Sequence, residues 1–314
     1  VTLSSALSGT IDLSGGSDRL TLSSSGATIT ITNVETLSGG AGADVVTYEN
    51  QIQSGSVDLG GGSADVLKLA NFANTLTVIN IETVSAADSN DRVTLGSVTS
   101  GKFDLALGSD TLTLYSSGGT VTLTLNGVET LSGSAAADVV TLTSQTTNTA
   151  IDTGGGNDKI VFASAAGNVA TISNVETVVA GSGGDEITIG TTAAATIVGG
   201  SGGDTFHGNQ GADSFALGAG ADFINYSNVN ESSTTAGDTI TSFSVASDKL
   251  TFSGLLSGSF TYNTTATFTG TGTSAYVSSG VLYVDTNGDA AADMKLTMTG
   301  VTNTSLTSAN FIWT

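Results

Sequence analysis

The four-residue pattern Asn33-Val34-Glu35-Thr36 returns as Asn80-Ile81-Glu82-Thr83, as Val128-Glu129-Thr130 behind a shifted Asn126, and as Asn174-Val175-Glu176-Thr177, which sets the four glutamates 47 residues apart. A period of about 20 to 50 residues marks a stacked architecture, because one unit cannot cover its own apolar face and only the next copy can. Aspartates keep the same rhythm. Asp44, Asp91, Asp138 and Asp185 stand 47 apart, while Asp12, Asp58, Asp104 and Asp152 open Gly- or Ser-rich stretches that close on Asp18, Asp65, Asp110 and Asp158. Behind these turns come short alternating segments such as Leu20-Thr21-Leu22, Val45-Val46-Thr47, Val93-Thr94-Leu95 and Ile160-Val161-Phe162. Such alternation reads as half-buried strands. From Gly199 the period tightens to nine: residues 199–207 carry Asp204, 208–216 carry Asp213 and 217–225 carry Asp222, and 39–47 is an earlier copy of the same unit.

The predicted fold is therefore all-β, a stacked β-solenoid with a C-terminal β cap. Residues 1–198 form a degenerate solenoid in 47-residue repeats, 199–228 a regular nonapeptide roll, and 229–314 a terminal portion that covers the last apolar face and ends in Phe311-Ile312-Trp313-Thr314. Composition agrees. The chain has no Cys and no Pro, so neither disulfides nor thiolate metal sites hold it together. A formal charge of −21, with only 7 Lys and Arg, excludes nucleic-acid or anionic-membrane binding through a basic patch. No apolar run approaches the ~20 residues of a membrane-spanning helix. Residue 1 is Val and no signal-peptide pattern follows it, so the start reads as processed or truncated.

Chemistry sits in the turns. In a unit of the form G-G-x-G-x-D-x-U-x, glycines admit positive φ and turn main-chain carbonyls toward a common point, the aspartate adds a carboxylate, and the apolar residue two places on enters the core. Coils stacked ~4.8 Å apart would lay such corners one above another, with Asp204, Asp213 and Asp222 in one stack. A hard cation taking six to eight oxygens suits them, which favours calcium over magnesium. The candidate ligands are Asp18, Asp44, Asp65, Asp110, Asp158, Asp185, Asp204, Asp213 and Asp222, with Gly199, Ser201, Gly208 and Gln210 in the regular stretch. Of the acidic residues 21 are Asp and 7 are Glu, a bias that a merely solubilising surface does not require. Stacked carboxylates repel one another, so folding is expected to be coupled to metal binding.

These nonapeptides resemble the RTX (repeats-in-toxin) family, on residues 39–47 and 199–225. The resemblance implies a right-handed parallel β-solenoid, a β-roll with calcium between its turns. The turns Asp88-Ser89-Asn90-Asp91 and Ala135-Ala136-Ala137-Asp138 depart from the pattern by lacking glycines, which predicts that some turns are metal-free. Gly237-Asp238-Thr239-Ile240, Ser247-Asp248-Lys249-Leu250, the 284–289 stretch and Ser308-Ala309-Asn310-Phe311-Ile312 are similar to the family's type I secretion domain. That likeness implies an uncleaved C-terminal export signal and a secreted, extracellular or cell-surface protein. Asp285, Asn287, Asp289 and Asp293 have the 1, 3, 5, 9 spacing of an EF-hand loop, but Ala290 and Leu296 replace its Gly and Glu, leaving calcium or a plain hairpin turn open.

Other residues read more simply. Stacked on every second coil, Glu35, Glu82, Glu129 and Glu176 would lie ~10 Å apart with no base beside them, so a structural or solvated role is expected. The Asp12 series is read either as further ligands or as strand ends. His207, the single histidine, is expected on a solvent-facing strand position, which leaves no Cys/His pair or zinc site to assemble. The basic residues Arg19, Lys68, Arg92, Lys102, Lys159, Lys249 and Lys295 are scattered, and Arg19, Arg92 and Lys159 follow turn aspartates that they are read as neutralising. The chain is expected not to be an enzyme. Because a turn already closes at Asp18, little room remains for an N-terminal cap, and an open strand edge invites another copy. The expected function is a secreted calcium-binding structural protein that self-assembles into a surface layer or extracellular filament. The alternative is the calcium-binding and secretion module of a larger adhesin, toxin or hydrolase. Its partners are then copies of itself, the type I secretion machinery and cell-surface polysaccharide, the last along Thr ladders with Tyr48, Tyr115 or Tyr226.

Overall fold

Strands of three to eight residues with every second side chain apolar become stable only when both neighbours and a facing layer cover them. A computed structural model describes residues 1–163, 165–191, 193–256 and 258–313; Thr314 of the terminal aromatic segment lies outside them. The chain is nearly all-β, a parallel β-solenoid, and among the described residues its helical turns are two short 3-10 segments, Val229–Ser232 and Ser308–Asn310. It forms two compact units, Val1–Asn157 and Asp158–Thr314.

In the first unit successive strands alternate between two parallel sheets. One sheet carries Ser8–Asp12, Thr28–Thr32, Val45–Tyr48, Val66–Lys68, Thr83–Ser85, Gly101–Asp104, Gly119–Asn126 and Asp138–Leu142. The other carries Arg19–Thr21, Thr36–Gly40, Gly55–Gly60, Thr75–Ile79, Arg92–Leu95, Thr111–Thr113, Thr130–Ser134 and Thr147–Gly154. In-register pairing stacks like on like. Leu20, Leu37, Val57 and Val78 form one buried column, and Ile29, Val46, Leu67 and Val84 form another. Each such side chain contributes roughly 1.5–3 kcal/mol on burial, so the column is the main cohesive element between coils.

The 47-residue period spans five strands, from Thr36–Gly40 to Thr83–Ser85 and again to Thr130–Ser134. Five is odd, so equivalent residues change sheet at every repeat. Glu35 and Glu129 therefore precede strands of one sheet and Glu82 a strand of the other, which corrects the expected stack on every second coil. Ahead of each glutamate the chain turns through a left-handed residue, Asn33 (φ 57°) or Asn80 (φ 53°). In the third copy Gly127 (φ 59°) takes that conformation, which is why the asparagine steps back to 126. The amide is kept in these three copies: Asn33, Asn80 and Asn126 donate from Nδ2 to Oδ1 of Asp12, Asp58 and Asp104 respectively, at 2.8, 3.0 and 2.7 Å. Asp12 and Asp104 end their strands while Asp58 lies two residues before the end of Gly55–Gly60, and all three clamp the next coil's turn.

The second unit repeats the pattern. Val169–Ser173, Glu186–Ile189, Thr205–His207, Phe223–Tyr226, Lys249–Phe252 and Phe311–Trp313 build one parallel sheet. Lys159–Phe162, Thr177–Gly181, Thr196–Ser201, Ser214–Ala219, Thr239–Thr241 and Met294–Met298 build the other. There the parallel order ends, because Met294–Met298 runs antiparallel to Val281–Asp285, and that strand antiparallel to Ser274–Ser278. Phe252, Phe260 and Tyr262 gather around Phe311 with ring centroids 5.0–6.3 Å apart, and Trp313 packs on Phe260 at 4.9 Å.

Two expectations fail on burial. Tyr48 and Tyr226 are 2% and 1% exposed, core residues at the inward positions of their strands, so neither offers a platform to a sugar. Arg19, Arg92 and Lys159 do not neutralise the aspartates before them, because alternation points adjacent side chains to opposite faces. Among the described residues the only ion pair is Lys102–Asp104 at 4.0 Å.

Candidate metal-binding corners

The residue just before each strand stands at a corner, and there the acidic side chains form rows running along the stack. In the first unit the backbone N–H of Asp91 donates to Asp110 Oδ1 (2.6 Å), and that of Asp110 to Glu129 Oε2 (2.8 Å). Asp18 N–H donates to Glu35 Oε2 (2.7 Å). On the opposite edge Asp44 N–H donates to Asp65 Oδ1 (2.7 Å), and Asp65 N–H to Glu82 Oε2 (2.9 Å). The glutamates of the 47-residue pattern are thus structural, each reaching in to accept the bond that an aspartate accepts elsewhere.

In the second unit Asp185 N–H donates to Asp204 Oδ1, Asp204 N–H to Asp222 Oδ1 and Asp222 N–H to Asp248 Oδ1, at 2.9, 2.9 and 3.1 Å. Asp213 belongs to the other edge, where its N–H donates to Asp238 Oδ1 (2.9 Å) and its Oδ1 accepts Ala195 N–H (2.7 Å). Asp158 N–H donates to Glu176 Oε2 on that edge (2.6 Å). Nine residues make half a coil, so Asp204 and Asp222 share a row and Asp213 faces away from both. The single stack expected for these three is corrected to two.

In Asp65, Asp91, Asp110, Asp185, Asp204, Asp213 and Asp222 one carboxylate oxygen accepts the N–H of a neighbouring corner and the second is left over. Oδ2 of Asp18, Asp65, Asp91, Asp110, Asp185, Asp204, Asp213 and Asp222, and Oδ1 of Asp44, are buried without a hydrogen-bond partner. Most of these aspartates are fully enclosed. Burial raises the carboxyl pKa of Asp44, Asp65, Asp91, Asp185 and Asp222, and pushes it to about 6 for Asp110 and Asp204 and to about 7 for Asp213. A charged oxygen held dry with no donor is costly, and proteins tolerate it where a cation supplies the missing partner.

The backbone around these oxygens is made for close approach. A Cβ at Gly208 would stand 2.6 Å from Asp213 Oδ2, and one at Gly199 would stand 2.9 Å from Asp204 Oδ2. Gly199 and Gly208 are thus walls of the two corners, while Ser201 and Gln210 lie exposed on the same turns. Among the described residues no three acidic or imidazole side chains converge on one point. A cation would therefore draw on main-chain carbonyls as well as carboxylates, which is the oxygen-only donor set that a hard ion prefers. The residues fit calcium: the corner carboxylates and the glycine-lined turns before them would hold it, and the bound ion would cancel the buried charge.

The C-terminal loop differs. Asp285 accepts Gly288 N–H on Oδ1 (2.6 Å) and Ala290 N–H on Oδ2 (2.9 Å). Asp293 Oδ2 accepts the N–H and Oγ1–H of Thr286 (2.8 and 2.7 Å), and its Oδ1 accepts from Asn287 Nδ2 (3.3 Å). Asn287 and Asp289 accept the N–H groups of Asp289 and Ala291 (2.9 Å each). The loop closes an antiparallel hairpin on its own hydrogen bonds and has no orphaned oxygen of the corner type.

Sequence reasoning missed three members of the rows. Asp91 sits in a turn without glycine, yet it is buried, accepts the N–H of Asn74 (2.8 Å) and keeps an orphaned Oδ2. Asp238 and Asp248 continue the rows 25 and 26 residues beyond Asp213 and Asp222, because loops are inserted there. The signal was present in the triplets Asp238-Thr239-Ile240 and Asp248-Lys249-Leu250, aspartate followed two places on by an inward apolar residue. Asp138 also stands at a corner, with Oδ2 accepting Ser134 N–H and Oγ–H (2.9 and 3.0 Å).

Two family models match the chain. The family model described as RTX calcium-binding nonapeptide repeat (4 copies) matches residues 33–49. The model described as peptidase M10 serralysin C terminal matches residues 106–312. No curated protein matches the chain. Among solved structures, the solution structure of the AlgE6R3 subunit of the Azotobacter vinelandii mannuronan C5-epimerase is similar at 20% identity over 50% of this chain and 77% of that one, with a TM-score of 0.27. RTX nonapeptide repeats are calcium-binding, and the chain belongs to the serralysin C-terminal family of RTX repeat proteins.

Proposed function

We propose that this is an exported, calcium-dependent structural protein, which folds when it meets extracellular calcium and then associates with further copies into a surface layer or filament. The observation that carries the proposal is the row of buried carboxylate oxygens with neither a hydrogen-bond donor nor a basic side chain beside them. Such a chain is unstable where calcium is scarce and ordered at the ~10⁻⁴–10⁻³ M at which extracellular calcium modules bind. The residues after 229 cover the last parallel coil and carry the export signal that their likeness to type I secretion domains implies. No helix is long and apolar enough to cross a membrane. A non-catalytic role suits His207, which is half-buried in the strand Thr205–His207 with Nε2 3.0 Å from Asn225 Nδ2.

In the self-association reading the edge of Ser8–Asp12 that faces away from Thr28–Thr32 pairs with another copy. The same edge would accept a preceding coil of a longer chain. That second reading, a module of a larger adhesin, toxin or hydrolase, is favoured by a family model that describes the C-terminal part of a peptidase. Sedimentation and negative-stain microscopy of the full chain, with calcium and in chelator, separate the two. Calcium-dependent polymers support assembly through this chain, and monodisperse monomers in both conditions rule it out in favour of the module.

A further inference from the structure

Two corners of the rows hold a fully buried asparagine, Asn74 or Asn168, where corners such as those of Asp204 and Asp213 hold a carboxylate. Asn74 stands between Ile52 and Asp91 in the first unit, and Asn168 precedes Asp185 in the second; both are fully buried. Asn74 accepts Ile52 N–H on Oδ1 (3.0 Å), the bond that an aspartate accepts at the other corners. Its second branch does something no carboxylate can. Nδ2 donates to the main-chain carbonyls of Ala70 (3.1 Å) and Phe72 (2.6 Å), and to Asp91 Oδ1 in the next coil (2.9 Å). At the second corner Asn168 Nδ2 donates to Ala166 O (3.2 Å) and to Asp185 Oδ1 (2.7 Å). Only this orientation of the amide satisfies the corner, because the reverse would set Oδ1 of Asn74 against three acceptors.

Two carbonyl oxygens of the turn and a carboxylate of the next coil converge on one nitrogen. That is the kind of donor set that a calcium ion gathers, and here an N–H group with partial positive charge stands at its centre. No orphaned oxygen remains on Asn74, whereas Asp204 and Asp213, which differ from it by oxygen in place of nitrogen, each keep one. Both turns also lack the Gly-Gly opening: residues 69–73 read Leu-Ala-Asn-Phe-Ala and 163–167 read Ala-Ser-Ala-Ala-Gly.

We infer that Asn74 and Asn168 replace the cation with their own amides, so that these two corners are built to stay closed without metal while the acidic corners take calcium. The inference rests on the calcium reading of the acidic corners. It makes the solenoid a stack in which metal-dependent steps are interrupted by self-neutralised ones. Changing one atom should convert the type: in Asn74→Asp the carbonyls of Ala70 and Phe72 already face the corner, and the new Oδ2 supplies the charge that was missing.

The test counts calcium per full-length chain by equilibrium dialysis, for wild type, Asn74→Asp and Asn168→Asp, with circular dichroism in calcium to verify the fold. Each variant is expected to bind one more ion than wild type. Variants that keep the β spectrum but bind the wild-type number overturn the inference, while a wild-type count of zero overturns the calcium reading beneath it. Terbium-soaked crystals of the wild type provide a second measurement that does not depend on a variant folding. Anomalous peaks beside Asp204 and Asp213 with none at Asn74 or Asn168 support the inference, and a peak at either asparagine overturns it.

Discussion

Replacing Asp213 by asparagine should change stability in opposite directions with and without calcium. The carboxyl has a pKa of 3.8 in an ordinary setting and is pushed up to about 7 by burial in the fold. Its proton is therefore held more tightly in the folded chain, and the contribution to stability is complete below pH 3.8 and lost as pH rises through about 7. At pH 8 the charged side chain then opposes the metal-free fold by up to about 4 kcal/mol, at ~1.4 kcal/mol per tenfold change in proton affinity. Water entry and relaxation reduce that ceiling, and the amide's own unmatched N–H costs a further ~1–2 kcal/mol, leaving a net gain of about 1–2 kcal/mol for the variant in chelator. Oδ1 of the asparagine can still accept Ala195 N–H, so the row is not broken. In calcium the sign turns. A hundredfold weaker site loses up to ~2.7 kcal/mol of ligand-linked stability. Urea unfolding at pH 8, followed by circular dichroism in chelator and in millimolar calcium, reads both limbs. A variant that is destabilised in chelator, or stabilised in both conditions, refutes the reasoning.

Acidity should replace calcium in part. With Asp204, Asp213 and Asp238 raised to about 6, 7 and 8 chiefly by burial, metal-free stability rises as pH falls from about 8 toward 4, whereas calcium affinity falls over the same range because protons compete; chelated protein whose melting temperature is flat or rises with pH contradicts this. Glu82→Ala removes the acceptor of Asp65 N–H and leaves that buried donor unmatched, so it should cost ~1–3 kcal/mol in calcium by urea unfolding. The exposed Glu49→Ala serves as its control and should be neutral. Equal effects at the two positions would remove the glutamates from the rows.

Much of this was legible in the chain because the repeat constrains both pattern and chemistry. Alternating triplets such as Leu20-Thr21-Leu22 could be read as strands locally, and the in-register columns of Leu37, Val57 and Val78 follow from repeating them. What a linear reading missed was parity. That 47 residues make five strands, and nine residues half a coil, depends on how loops between strands are accommodated, and no local propensity sets that. Glu35 and Glu82 were thus assigned one row, and Asp213 was placed with Asp204. The asparagines were invisible for a related reason. Asn74 differs from an ordinary turn residue only in what the neighbouring coil, 17 residues on, offers to its amide. Tyr48 and Tyr226 looked available because tyrosine tolerates exposure, yet their inward positions enclose them.

The most direct measurement is a calcium titration of the chelated full-length chain followed by far-ultraviolet circular dichroism, with magnesium in parallel. If the orphaned oxygens of Asp204, Asp213 and Asp222 are completed by calcium, the β signal should be small in chelator, rise cooperatively with calcium at ~10⁻⁴–10⁻³ M and respond weakly to magnesium. An undiminished β spectrum in chelator at pH 8, unchanged when calcium is added, would contradict the account.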